Sequence, residues 1–259
     1  MDEILVSNSY PIVRVPAPVQ GGPLNCNNNG NGGSYGGLGS GPNTSSVATY
    51  VSSLTPTALG SGGSGGYGLS QGDGGASGAV GGGAIRLVVS GSLTDNGIIS
   101  ANGSSVRLNA GGGSGGSIYV TTSTITGSGI FTANGGAVAA AATGGEGGRI
   151  AIYYQNASSY TGFTTSTATG GANTGGGNAG AGTIGFFDTS QANNRLYVYK
   201  LFSLDPSTTA TYDAITVENA GSLTIGGGSA IALTNTVTVT LLLYVKFFTD
   251  SSSSIIASQ

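Results

Sequence analysis

The chain has 259 residues, and glycine supplies 51 of them, nearly three times the usual share of about 7%. Charged residues make up 7% and the net charge is −3, with seven basic residues scattered along the chain. That excludes a surface able to track a phosphate backbone, so no nucleic acid is expected as a partner. With no histidine, every Ser-His-Asp, Cys-His or His-metal scheme is excluded as well.

Residues 1–33 read as an extended N-terminal arm or linker. Four of the seven prolines (Pro11, Pro16, Pro18, Pro23) lie there, and proline favours extended chain over packed strand. Cys26 has no second cysteine to pair with inside the chain, so it reads as an incidental thiol or the seat of an intermolecular bridge. The start is acidic and lacks a long apolar run, so no export signal is visible. The longest apolar run, Leu241–Val245, stops at Lys246, far short of the ~20 residues that span a bilayer.

Residues 34–204 carry an internal repeat. Strand-like runs follow glycine clusters: Ile85-Arg86-Leu87-Val88-Val89, Ile118-Tyr119-Val120, Ile150-Ala151-Ile152-Tyr153-Tyr154 and Ile184-Gly185-Phe186-Phe187. Their β-branched and aromatic content suits a pleated surface. The leading isoleucines stand at 85, 118, 150 and 184, in steps of 33, 32 and 34. A second landmark, Gly97, Gly129 and Gly162, gives steps of 32 and 33. One such unit cannot bury its apolar residues alone. Stacked on copies of itself, each strand finds a partner ~4.8 Å away and equivalent residues form a column. The fold expected is therefore all-β, a parallel β-helix (β-solenoid) with glycine-rich insertions and a repeat of about 33 residues.

Asn102 and Asn134, each in an Ala-Asn-Gly sequence, are expected at matching corners. Both Asn and Gly tolerate φ > 0 there, and stacked Asn side chains can bond from rung to rung. The insertions 111–116, 144–148 and 170–182, and the stretch 60–83, read as loops projecting from one side. The rival arrangement packs them against each other as extended glycine-rich chains.

Residues 205–259 read as a second solenoid section with shorter coils. Asp205-Pro206 breaks the pattern. Closer strands follow at Ala214–Val217, Ser222–Ile225, Ala230–Leu233 and Thr236–Thr240, with period-2 alternation and short turns. The segment from Leu241 onward reads as a cap or a partner-facing edge.

The stretches Gly83–Leu87, Gly112–Val120, Gly147–Tyr154 and Ser34–Gly39, with the Ile215–Ile231 section, resemble the glycine-rich repeats of large secreted or cell-surface microbial adhesin-like proteins. The resemblance covers roughly residues 34–235. It implies a right-handed parallel β-helix, an architecture shared with pectin-lyase-like enzymes, serving as a stalk or surface segment of a longer chain. Right-handedness also follows the general preference of strand crossovers.

For chemistry, the ten acids lie at dissimilar points of the repeat, so each is expected to be solvated or to cap a turn. Arg86 and Arg149 are expected on one face as surface arginines, with Glu146 a possible partner of Arg149. No calcium repeat of the form G-G-x-G-x-D and no phosphate-binding glycine loop occurs. No catalytic, cofactor or metal residues are assigned, and no cofactor is expected. Tyr119, Tyr153, Tyr154, Tyr197 and Tyr199 are the candidate glycan contacts, against a competing role in sheet packing. Thr121–Thr124 and Thr236–Thr240 hint at an ice-binding array but do not recur at a fixed repeat position.

The function expected is a non-catalytic structural or adhesive repeat protein, extracellular or at the cell surface, associating with itself or with surface glycans. A polysaccharide-binding domain is the alternative, ahead of an ice-binding protein or a carbohydrate lyase or hydrolase.

Overall fold

The computed structural model describes residues 3–6, 30–36, 50–66, 76–106, 109–139, 142–173, 179–234 and 254–257, the first and last of these by backbone alone. The expectations placed on the four prolines of the N-terminal arm, on Cys26, on Thr236–Thr240 and on Leu241–Val245 lie outside the described residues, whereas the arm's Glu3–Val6 pairs as a strand and its Gly30 and Gly33 bond to the 109–112 segment. The described residues are all-β and contain no helix. None of them forms a helix long and apolar enough to cross a membrane.

The strands are β1 (Glu3–Val6), β2 (Ala84–Asp95), β3 (Ile98–Ser100), β4 (Ser117–Gly127), β5 (Ile130–Thr132), β6 (Arg149–Tyr154), β7 (Asn156–Tyr160) and β8 (Thr183–Asp188). They are followed by β9 (Arg195–Val198), β10 (Leu201–Leu204), β11 (Thr209–Tyr212), β12 (Ala214–Val217), β13 (Ser222–Ile225), β14 (Ala230–Leu233) and β15 (Ser254–Ala257). The main sheet runs β1-β2-β4-β6-β8-β9-β12, with β7 continuing beside β4. Its pairs are parallel except β8–β9, which is antiparallel.

The register places Ile85 beside Ile118, Ile118 beside Ile150 and Ile150 beside Ile184. Each repeat thus sets the same residue over its predecessor. Alternation along the strands then sends Ile118, Val120, Ile150, Ile152, Ile184 and Phe186 to one face, where they form a core with Leu93, Ile125 and Phe131. Removing a side chain of this size from water stabilises by about 1.5–3 kcal/mol.

The opposite face of the sheet is covered at β6 and β8 and open at β2. Ala151 and Phe187 join a second core with Leu196, Val198, Phe202, Leu204 and Tyr212. That accounts for the near-continuous apolar reading of Ile150–Tyr154 and Ile184–Phe187, which marks strands buried on both sides. Gly185 belongs to this packing: a Cβ there would stand 2.7 Å from Phe187 and 2.8 Å from Phe202.

From Arg195 the pairing distance shortens, ahead of the boundary expected at residue 205. Arg195 pairs with Ala214, Leu201 with Ser222 and Thr209 with Ala230. Burial in β10, β12, β13 and β14 alternates strictly, one residue in and one half-exposed. The tight turn between β12 and β13 uses left-handed backbone at Asn219 (φ 52°) and Ala220 (φ 57°).

The glycine-rich insertions are where the structure departs most from the expected loops. Segments 111–116 and 144–148 are wholly buried. The Gly111, Gly112 and Gly113 N–H groups donate to three different chains, at Ser64 (2.9 Å), Thr143 (3.1 Å) and Ser104 (3.1 Å). The next three residues repeat the order: Ser114 to Ser61 (2.9 Å), Gly115 to Glu146 (2.8 Å) and Gly116 to Ala101 (2.8 Å). Every third residue faces the same neighbour, so the chain turns once per three residues, as a polyproline-II-type helix does. Its carbonyls accept in turn from Ala79, Gly33, Gly136, Gly82 and Arg149.

The result is a bundle of extended chains bonded on all sides, the rival arrangement rather than the projecting loops. Segments 60–66 and 76–82 join it antiparallel, through Gly60 to Gly82, Gly63 to Ala79 and Gly66 to Ala76. The third insertion joins through Gly171 and Gly182. Glycine serves here by lacking a side chain, not by adopting unusual φ. A Cβ on Gly113 would lie 2.0 Å from the Val80 carbonyl oxygen, and one on Gly115 would lie 2.0 Å from that of Ala133. The buried backbone is tolerated because its polar groups find partners in neighbouring chains.

Candidate functional site

The five candidate tyrosines do not converge. Side chains alternate across a strand, so Tyr153 and Tyr154 point to opposite faces. Tyr154 is buried in the inner core. Tyr197 and Tyr199 pack against that same core, with Tyr199 stacked on Phe163 at 5.5 Å between ring centroids. Burial pushes the Tyr154 hydroxyl well above the usual tyrosine range and Tyr199 up to about 12. These three are packing residues.

Tyr119 and Tyr153 share the outer face. Their rings meet edge to face, 5.8 Å between centroids at 84°. Tyr153 also lies flat on Phe187 at 4.4 Å, and its hydroxyl donates to the Leu54 carbonyl at 2.8 Å. The register places Arg86 beside Tyr119 and Thr121 beside Tyr153. The Arg86 guanidinium carbon stands 5.8 Å from the Tyr119 ring centroid, within cation–π range.

Tyr119, Thr121 and Tyr153 line an open groove of about 320 Å³ together with Val89, Thr122, Ser123, Gln155 and Thr189, and Arg86 stands outside that lining, next to Tyr119. Among the described residues no acid lines it. The hydroxyls of Thr122, Ser123 and Thr189 donate to backbone carbonyls. Thr122 is buried while Thr121 is half-exposed, so Thr121–Thr124 presents no flat row of hydroxyls. Sequence reasoning missed Thr121 and Gln155 as groove residues, because only the register brings them beside Tyr119 and Tyr153.

Arg149 is a second departure. It lies on the same face as Arg86, yet is 2% exposed and paired with Asp205, Nη1 to Oδ1 at 2.7 Å. The other Asp205 oxygen accepts the Ser53 N–H. The guanidinium carbon also stands 5.9 Å from the Tyr35 ring centroid. The Tyr35 hydroxyl is hydrogen-bonded to Ser117, whose hydroxyl donates to the Ala58 carbonyl at 2.6 Å. Burial raises Tyr35 to about 12. The arginine expected at the surface is instead the buried tie between β6, Tyr35, and the Asp205 that also holds Ser53. A buried cation requires such a partner, since unpaired it costs several kcal/mol.

Two acids expected to be solvated or to cap a turn are buried. Glu146 sits within the glycine bundle and Asp95 at the end of β2, both 0% exposed. Asp95 caps a turn as expected, accepting the Gly97 N–H at 3.0 Å. Burial raises its carboxyl to about 6. Asp188 accepts the Ser190 N–H at 2.9 Å. Hydrogen bonds from Thr234 and Asn193 hold Asp213 below the usual carboxylate range. No cluster of three metal-ligating side chains occurs among the described residues.

Asn102 and Asn134 form a ladder of a different kind from the one expected. The Asn134 N–H donates to the Asn102 side-chain oxygen (2.7 Å), and the Thr169 N–H to that of Asn134 (2.9 Å). Each side chain thus satisfies the backbone of the next repeat, and neither residue has positive φ. Ser105 does the same for Ala137 at 3.0 Å. The spacing Asn102…Ser105 is the three-residue turn of the bundle, a signal visible in the sequence once that turn is known.

Comparison with known proteins adds no relative: no protein-family model, no curated protein and no solved structure matches this chain.

Proposed function

We propose that this chain is a non-catalytic structural module of a secreted or cell-surface repeat protein, a β-solenoid stiffened by its glycine-rich insertions. The observation that carries the reading is the glycine bundle. Each repeat commits a long stretch of chain mainly to main-chain hydrogen bonds with its neighbours. Such an element holds shape and offers almost no side-chain chemistry. The regular register of β2, β4, β6 and β8 supports coils stacked in one direction. The resemblance of Gly112–Val120 and Gly147–Tyr154 to adhesin-like repeats points to the cell surface.

Electron microscopy of the purified chain tests this. Short rods, or fibres with a ~4.8 Å axial spacing, are expected, the fibres marking self-association through open ends. Shapeless particles would sink the solenoid reading.

Polysaccharide binding is the second reading, favoured by one observation. The Tyr119–Tyr153 groove places aromatic rings and neutral hydrogen-bonding groups together on an open face.

A further inference from the structure

We propose that the Tyr119–Tyr153 groove takes an acidic glycan, a chain of hexuronic acid units, with Arg86 reading the carboxylate. This rests on the polysaccharide-binding reading above and adds the charge of the ligand.

Three observations carry it. First, Arg86 is exposed and held 5.8 Å from the Tyr119 ring centroid, and it has no carboxylate partner among the described residues; the ion pair they form is Arg149–Asp205. Its planar fork matches a carboxylate bidentately, and the aromatic contact orients it before any ligand arrives. Second, the described residues that line the groove carry no charge, and the cation next to them is Arg86, at the far side of the Tyr119–Tyr153 ring pair. Asp188 is the register partner of Tyr154 and lies on the opposite side of the sheet from Tyr153. In a chain of net charge −3, a cation beside an acid-free groove gives charge complementarity to an anion and to nothing cationic.

Third, the polar inventory suits a sugar. The Tyr119 hydroxyl, the Thr121 hydroxyl and the Gln155 side-chain amide form no hydrogen bond with other described residues, whereas the Thr122 and Tyr153 hydroxyls spend theirs inside the protein. The groove therefore offers two hydroxyls and an amide around an aromatic ring, matching an alternation of C–H face and O–H edge. At about 320 Å³ it falls at the small end of ligand sites, enough for a short stretch of a longer chain lying across the strands.

The test is titration calorimetry of the full chain with a mannuronic acid hexamer, its neutral counterpart mannohexaose, and poly-glutamate. The expected result is binding of the acidic hexamer that weakens with added salt and drops at least tenfold in Arg86→Gln, with mannohexaose bound at least tenfold more weakly. Arg86 is exposed, so the variant folds, and circular dichroism checks this. Equal binding of both hexamers, unchanged by Arg86→Gln, overturns the charge assignment and leaves glycan binding standing. Poly-glutamate bound as tightly as the uronate overturns the glycan class. No binding by any probe overturns both this proposal and the polysaccharide reading, while the structural-module reading stands on microscopy.

Discussion

The glycine bundle and the tighter strand stack from Arg195 onward exclude water by opposite means. In the stack, alternate side chains such as Leu223, Ile225 and Ile231 turn inward and fill a core. In the bundle there is nothing to fill. Backbones approach until carbonyls occupy the space a Cβ would need, and hydrogen bonds in three directions replace side-chain packing. One region is therefore damaged by removing atoms and the other by adding them.

The largest effects should come from the stack and from its tie to the main sheet. Phe202→Ala should cost about 3–5 kcal/mol in urea unfolding, as expected for a fully buried aromatic. Asp205→Ala should cost a similar 3–5 kcal/mol, because it strands the Arg149 cation. A cost below 1 kcal/mol would show that the pair does not join the two regions.

Adding one methyl group at Gly113 is the converse test. Gly113→Ala should destabilise by about 3 kcal/mol, the upper range for overpacking, since the obstacle is the Val80 backbone and not a side chain able to turn away. If Gly113→Ala proves neutral, the three-direction bonding is not there. Hydrogen exchange gives an independent check: amides of 111–116 should exchange as slowly as those of β4, although they belong to no strand.

A smaller effect is expected from Asp95. Its folded pKa of about 6 exceeds the ordinary value of 3.8, so the folded state holds the proton more tightly. Stability should then be greatest below about pH 4 and fall, by up to about 3 kcal/mol, as pH rises through 6. Asp95→Asn should flatten that slope. The depressed Asp213 carboxyl acts in the opposite sense, its contribution being lost as pH falls through its folded pKa. Smallest of all, Asn134→Ala should cost about 1 kcal/mol, the net worth of a rung-to-rung hydrogen bond.

The register of the main sheet was legible in the sequence because side chains mark it. Ile85, Ile118, Ile150 and Ile184 recur at one interval, and each occupies the position its spacing implies. The bundle was misread because glycine marks nothing. Gly111-Gly112-Gly113 looks the same in a mobile loop as in a chain that meets a different neighbour at each position, and habit assigns it to turns. The candidate groove was half legible. Alternation alone separates Tyr153 from Tyr154, but only the register shows that Tyr119 shares a face with Tyr153 and that Arg86 lies over Tyr119. Asp205 looked like a chain breaker because its partner, Arg149, lies 56 positions away.

The bonding in three directions bears on how the protein would carry load. A strand at the edge of a sheet can be peeled away one hydrogen bond at a time. A chain such as 111–116, gripped by neighbours on every side, offers no edge at which peeling starts. Drawn along its length, it must shear all of its bonds together, so tension entering one repeat is shared at once among the chains around it.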